Sequence, residues 1–213
     1  MTARKILKGF TLVELLIVIA ILGIIALIVI AAINPIEQAN RARDTGMKSD
    51  ASQLVSAIDR YFAAREQFPW VSAGDYVNDD AFGFVSAKDE GVGICGATCA
   101  DEGILLATEE LKPEFLNRNF IKAGDTEISD LLMIGKDAES SSSVYACYIP
   151  AAKSNREKSC ADGDVYTLDV PAVDGTGGGT RTQVVGEGEE DPPCSGAEGT
   201  EWLSNGWYVC VPE

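Results

Sequence analysis

The chain has 213 residues, with 17 basic and 33 acidic side chains, a net charge of −16 at pH 7 and no histidine. That balance repels nucleic-acid phosphate and anionic lipid, so direct nucleic-acid binding is not expected. The missing imidazole excludes Ser-His-Asp, Cys-His and histidine–metal chemistry.

Residues 1–9 form a short basic leader containing Arg4, Lys5 and Lys8 and ending at a Gly9-Phe10 junction. From Phe10 to Ile33 an apolar run of 24 positions carries one charge, Glu14. As a helix this run measures about 36 Å at about 1.5 Å per residue, enough to cross a hydrocarbon core of about 30 Å. A secretory signal peptide has a shorter apolar core, about 7–15 residues, and ends in a small-x-small site. Here the run is longer and ends in Ala31-Ala32-Ile33-Asn34-Pro35, which fits that pattern poorly. Gly23 inside the span costs about 1 kcal/mol relative to alanine in a helix and suits close helix–helix packing.

Glu14 is the anomaly. A charge at the centre of a membrane helix costs roughly 2.5–3.5 kcal/mol on insertion scales, and less near an end. Taken alone, the residue leaves two readings open: a carboxylate that reaches water at the interface, or one that awaits a cation. A cut between Gly9 and Phe10 would create an α-amine four residues before Glu14. A neighbouring copy staggered by about one helical turn could present that amine to the acid.

The run Lys8-Gly9-Phe10-Thr11-Leu12-Val13-Glu14-Leu15, with its leader and apolar continuation to residue 35, resembles the type III signal sequence of type IV pilins and type II secretion pseudopilins. The resemblance implies that Gly9 is the last leader residue required by prepilin peptidase. It implies that Phe10 becomes the N-methylated mature N-terminus, and that Phe10 and Glu14 serve assembly. It further implies a homo-oligomeric helical filament raised from an inner-membrane assembly platform. The subunit would begin as a single-pass inner-membrane protein with its head outside. It would end in an extracellular pilus or a periplasmic pseudopilus.

The assembly helix (10–34) ends near Pro35. Asn34 suits an N-cap, Pro35 the first helical position and Glu37 the capping-box position, so the spacing predicts a restart or a kink. Residues 35–68 are polar but periodic. Met47, Ala51, Leu54, Ile58 and Tyr61/Phe62 make one apolar stripe, which predicts an amphipathic helix under a sheet. Its charges, five of each sign, are expected in solvent: Arg41, Arg43, Lys48, Arg60 and Arg65 against Glu37, Asp44, Asp50, Asp59 and Glu66. Phe68-Pro69 stops the helix.

Residues 69–213 form an acidic head with 27 acidic and 9 basic side chains, a net of −18, which favours solubility of a crowded surface. Strands are expected at Val144–Ile149, Val165–Val170 and Trp207–Val211. Helical segments are expected at Ile104–Leu111 and Ile128–Ile134, a loop at Ser140–Ser143, and a mobile Gly/Glu/Pro-rich stretch at Gly175–Pro193. A long N-terminal helix followed by strands predicts an α+β domain, an antiparallel sheet packed on the helix stripe and pilin-like in outline.

Six cysteines, at 95, 99, 147, 160, 194 and 210, all lie in the head. An even count outside the membrane segment points to disulfides in an oxidising compartment, which also orients the head outward. Fifteen pairings are possible. Neighbours in sequence give Cys95–Cys99, Cys147–Cys160 and Cys194–Cys210, the last closing the C-terminal loop as pilin heads close theirs. An all-cysteine zinc site at Cys95-x-x-x-Cys99 is the competing use. Asp162, Asp164 and Asp169 are weak calcium candidates, since Asp-Gly is first a turn signal. No cofactor is expected.

Three function classes follow. A polymerising structural subunit, of a pilus or of a pseudopilus, accounts for Gly9, Phe10 and Glu14 together. A membrane-anchored enzyme leaves those residues unexplained. A membrane-anchored adhesive binding module would use Trp202, Trp207 and the Gly-rich stretch.

Overall fold

A computed structural model describes residues 10–32, 34–72, 74, 76–122, 130–169, 179–184, 194 and 196–212. The chain divides into two compact units, Met1–Ala39 and Asn40–Glu213. The architecture is a long apolar N-terminal helix with a C-terminal antiparallel sheet, an α+β arrangement.

In the first unit α1 spans Leu12–Ala32 and α2 opens at Pro35. Asn34 caps the restart: Glu37 N donates to Asn34 Oδ1 at 3.3 Å and Gln38 N to Asn34 O at 3.2 Å. Proline at the first helical position lacks an N–H that would have had no partner there.

In the second unit α2 runs on to Arg65 and buries Met47, Ala51, Leu54, Ile58 and Tyr61, with Phe62 half-buried beside them. It stops at Glu66, which takes a left-handed φ of 56°. Asn78 closes this end, donating from Nδ2 to Glu66 O at 2.6 Å and accepting Phe68 N at 3.2 Å. From there Phe62, Phe68, Trp70 and Phe82 stack face to face, with ring centroids 4.3, 4.6 and 4.3 Å apart.

Strands β1 (Phe82–Ser86), β2 (Met133–Lys136) and β3 (Val144–Tyr148) pair antiparallel in sequence order, and β6 (Val209–Val211) completes the sheet on the far side of β3. Between β3 and β6 come α3 (Lys153–Asp162), the hairpin β4 (Tyr166–Leu168) with β5 (Arg181–Gln183), and α4 (Gly199–Asn205). Side chains alternate across the sheet as a period of two requires. Leu132, Ile134, Val144, Ala146 and Tyr148 join the α2 stripe in the main core. Leu131, Met133, Cys147, Cys210 and Phe84 form a second layer, covered by Tyr145, Tyr166, Leu168 and Tyr208. Gly135 admits the Phe84 ring to this layer, since a Cβ there would lie 2.7 Å from ring carbons. The β4–β5 hairpin is pinned down by Arg181, whose guanidinium lies 3.7 Å from the Tyr145 centroid and 4.3 Å from that of Tyr166.

Several expectations are corrected. Residues 133–136 are a strand, not part of a helix over Ile128–Ile134; residues 128 and 129 lie outside the described residues. Their short apolar run fits helix or strand equally, and both faces of the strand are buried. Only Ile104–Ala107 is helical in Ile104–Leu111, because Glu109 takes a φ of 61°. Within Gly175–Pro193, residues 181–183 form β5; apart from 179–184, the stretch lies outside the described residues.

The charges of α2 are not all in solvent. Asp44 is 3% exposed and Asp50 9%. Asp44 accepts Ala151 N at 2.8 Å on Oδ1, and Ala152 N at 3.0 Å and Asn155 Nδ2 at 2.8 Å on Oδ2. It caps α3 from another helix, where Ala152 at the N-cap has no side-chain acceptor of its own. Asp50 pairs with Arg118 at 3.2 Å; burial pushes its carboxyl up and the guanidinium opposes that. Lys136 is fully buried, donates to Asp137 O at 2.7 Å and Glu139 O at 2.8 Å, and lies over the Phe68 ring.

Candidate functional site

The chemistry-bearing residues of the first unit sit at the start of α1. The helix spans 21 residues, about 32 Å at about 1.5 Å per residue. Its apolar side chains from Leu12 to Ile30 are exposed, which is tolerable in lipid and costly in water. Length and composition suit it to cross a membrane.

Thr11 and Glu14 form a reciprocal capping box. Glu14 Oε2 accepts Thr11 N at 2.9 Å and Thr11 Oγ1 at 2.7 Å, and Glu14 N donates to Thr11 Oγ1 at 3.2 Å. Two of the N–H groups at the helix start thus gain partners. One carboxylate oxygen is committed to the chain's own helix end. Among the described residues Oε1 has no hydrogen-bond partner. Thr11 stands in the motif, but its capping role with Glu14 was not anticipated, although Thr-x-x-Glu before an apolar run is the available signal. Phe10 is 79% exposed, and Gly9 lies outside the described residues.

Three disulfides hold the second unit: Cys95–Cys99, Cys147–Cys210 and Cys160–Cys194. The expected Cys147–Cys160 and Cys194–Cys210 pairings are therefore replaced. Cys147 and Cys210 stand directly opposite each other in the β3–β6 register, which brings their Cβ atoms within bridging reach. Cys160, near the C-terminal end of α3, meets Cys194 beneath Trp202 in a separate small core. All six thiols are used, which leaves none for an all-cysteine metal site.

The calcium candidates are not gathered. Asp162 ends α3, and Gly163 follows as its left-handed C-cap with φ 78°. Asp164 precedes β4 and Asp169 follows it, so an extended strand separates them. Among the described residues no group of three or more carboxylate or thiol side chains is placed to hold a metal. Trp202 is buried in the small core, edge-on to the half-buried Trp207 at 5.9 Å. Neither indole is presented as a free binding platform. An open groove of about 840 Å³ lies beside α2, lined in part by Ser49, Gln53, Ser56, Arg60 and Arg118. Its two guanidiniums are tied up, Arg60 to Glu110 at 3.0 Å and Arg118 to Asp50.

The prokaryotic N-terminal methylation motif matches residues 5–30. The chain carries the type IV pilin and pseudopilin signal. The pilin-type match covers the end of the leader, the Gly9-Phe10 junction, the capping box and most of α1, and it stops short of the head. It fits membrane anchoring and a structural-subunit family. No curated protein and no solved structure matches the chain significantly.

Proposed function

We propose that this chain is a structural subunit of a type IV pilus or pseudopilus, cut by prepilin peptidase between Gly9 and Phe10 and methylated on Phe10. It waits as a single-pass inner-membrane protein with its disulfide-bonded head outside. It then polymerises through α1 on an inner-membrane assembly platform. The match over residues 5–30 carries this reading. The geometry of Glu14 supports it. Oε2 secures the first turn of the chain's own helix, and Oε1 is left for the α-amine of Phe10 on a neighbouring copy. An amine–carboxylate contact removes the cost of a lone acid in lipid, which a capping box alone reduces without neutralising.

Two measurements test the proposal. Mass spectrometry of protein from the native host should find a chain beginning at methylated Phe10. Glu14→Ala should leave membrane insertion intact and abolish filament incorporation. A mature protein still beginning at Met1, or normal filaments from the variant, would overturn it.

A further inference from the structure

The three disulfides differ in how they meet solvent. Cys147, Cys210, Cys160, Cys194 and Cys95 are each no more than 2% exposed, whereas Cys99 is partly exposed. The Cys147–Cys210 bridge is buried in the second layer, with Tyr145, Tyr166 and Tyr208 packed against it. The Cys160–Cys194 bridge is buried in the small core with Trp202. The Cys95–Cys99 bridge packs against the main core through buried Cys95, while Cys99 is partly exposed.

That loop carries backbone hydrogen bonds of its own besides the bridge. Gly103 N donates to Ile94 O at 2.9 Å, Gly96 N to Asp101 O at 3.0 Å, and Asp101 N to Thr98 O at 3.0 Å. Cys95 and Glu102 pair as an antiparallel bridge, and Thr98 Oγ1 donates to Asp101 Oδ2 at 3.1 Å. Gly103 fixes the register, because a Cβ there would lie 2.4 Å from Gly93 O. These contacts close the turn alongside the disulfide.

We propose that Cys95–Cys99 is a thiol-exchange site of the head, opened and closed by an external dithiol while the fold persists. The thiolate of the dithiol attacks Sγ of Cys99, forms a mixed disulfide and expels the Cys95 thiolate. The second thiol of the reagent then attacks its own sulfur in that mixed disulfide and releases the Cys99 thiolate. Two electrons pass to the bridge, the reagent leaves as its cyclic disulfide, and the two cysteines take up two protons. The reverse sequence, with an oxidised dithiol, rewrites the bond. The site depends on the head alone and stands whether or not the chain forms filaments.

The test uses the full chain in detergent near neutral pH, with dithiothreitol as the dithiol, an iodoacetamide quench and peptide mapping by mass spectrometry. Cys95 and Cys99 should be alkylated at least about tenfold faster than the other four, with the circular dichroism of the folded head unchanged. Alkylation of all six together, or of another pair first, overturns the proposal. The double variant Cys95→Ser/Cys99→Ser should unfold cooperatively and lack the fast phase. A double variant that does not fold, or that keeps the fast phase, overturns it equally.

Discussion

Replacing Asp44 by alanine removes the acceptor that holds α3 against α2. The carboxylate is 3% exposed and takes three hydrogen bonds, two from backbone N–H groups at the start of α3 and one from Asn155. Hydrogen bonds to a charged group are worth about 1.5–3 kcal/mol each, and loss of an N-cap acceptor costs about 1 kcal/mol. The three bonds share one side chain and do not add, and water enters part of the space, so the expected loss is roughly 3–5 kcal/mol. Against a total of about 5–15 kcal/mol this is a large fraction. For a unit of this size it lowers Tm by roughly 6–20 °C. The assay is thermal unfolding of the detergent-solubilised chain with its disulfides intact, followed by far-UV circular dichroism. Asp44→Asn should lose nearly as much, because its NH₂ faces donors. Ser56→Ala, on the exposed face of the same helix, should stay within about 0.5 kcal/mol of wild type. An Asp44→Ala protein as stable as Ser56→Ala would refute the cap.

Three other outcomes follow from the packing of the head. Burial holds the Lys136 ammonium below its ordinary value, so the unfolded chain binds more protons in the window just below 10.5. Stability from this group therefore rises with pH there, and Lys136→Met should flatten that rise in denaturant titrations while lowering stability at neutral pH by roughly 1–3 kcal/mol, since two carbonyls lose their donor. Gly135→Ala should cost about 1–3 kcal/mol in thermal melts by forcing Phe84 from its seat. Removing Cys147–Cys210, which closes a separation of 63 residues, should cost about 4 kcal/mol, against about 2 kcal/mol for Cys95–Cys99 with its separation of 4, measured by melting the paired serine variants.

The N-terminal elements were legible because each rests on local chemistry. The uninterrupted apolar run defines α1, Asn34-Pro35 marks the restart, and the spacing from Met47 to Tyr61 gives the buried stripe. The strands at 144–148 and 209–211 were legible from their β-branched and aromatic residues. What stayed hidden depends on partners distant in sequence. Nothing near Asp44 announces that residues 151, 152 and 155 will converge on it. Lys136 reads as a surface lysine until the turn beyond β2 folds carbonyls over it. The β1 strand and the β4–β5 pairing lacked a clean alternation, because β1 carries an irregular register between Phe82 and Val85 and β5 is three polar residues. At the N-terminus, the lone charge of Glu14 is met by Thr11 three residues before it, a local pairing that the Thr-x-x-Glu spacing carries.

The bridges are nested in the order of the chain, Cys160–Cys194 falling inside Cys147–Cys210. Of these four cysteines a ribosome delivers Cys147 first, then Cys160 and Cys194, and Cys210 last. Oxidation strictly in order of emergence would join Cys147 to Cys160, the pairing that nearness in sequence also suggests. The native pattern therefore requires that Cys147 stay unpaired until β6 docks beside β3, or that an early bond be reshuffled afterwards. Correct maturation of the head is a matter of timing as much as of geometry.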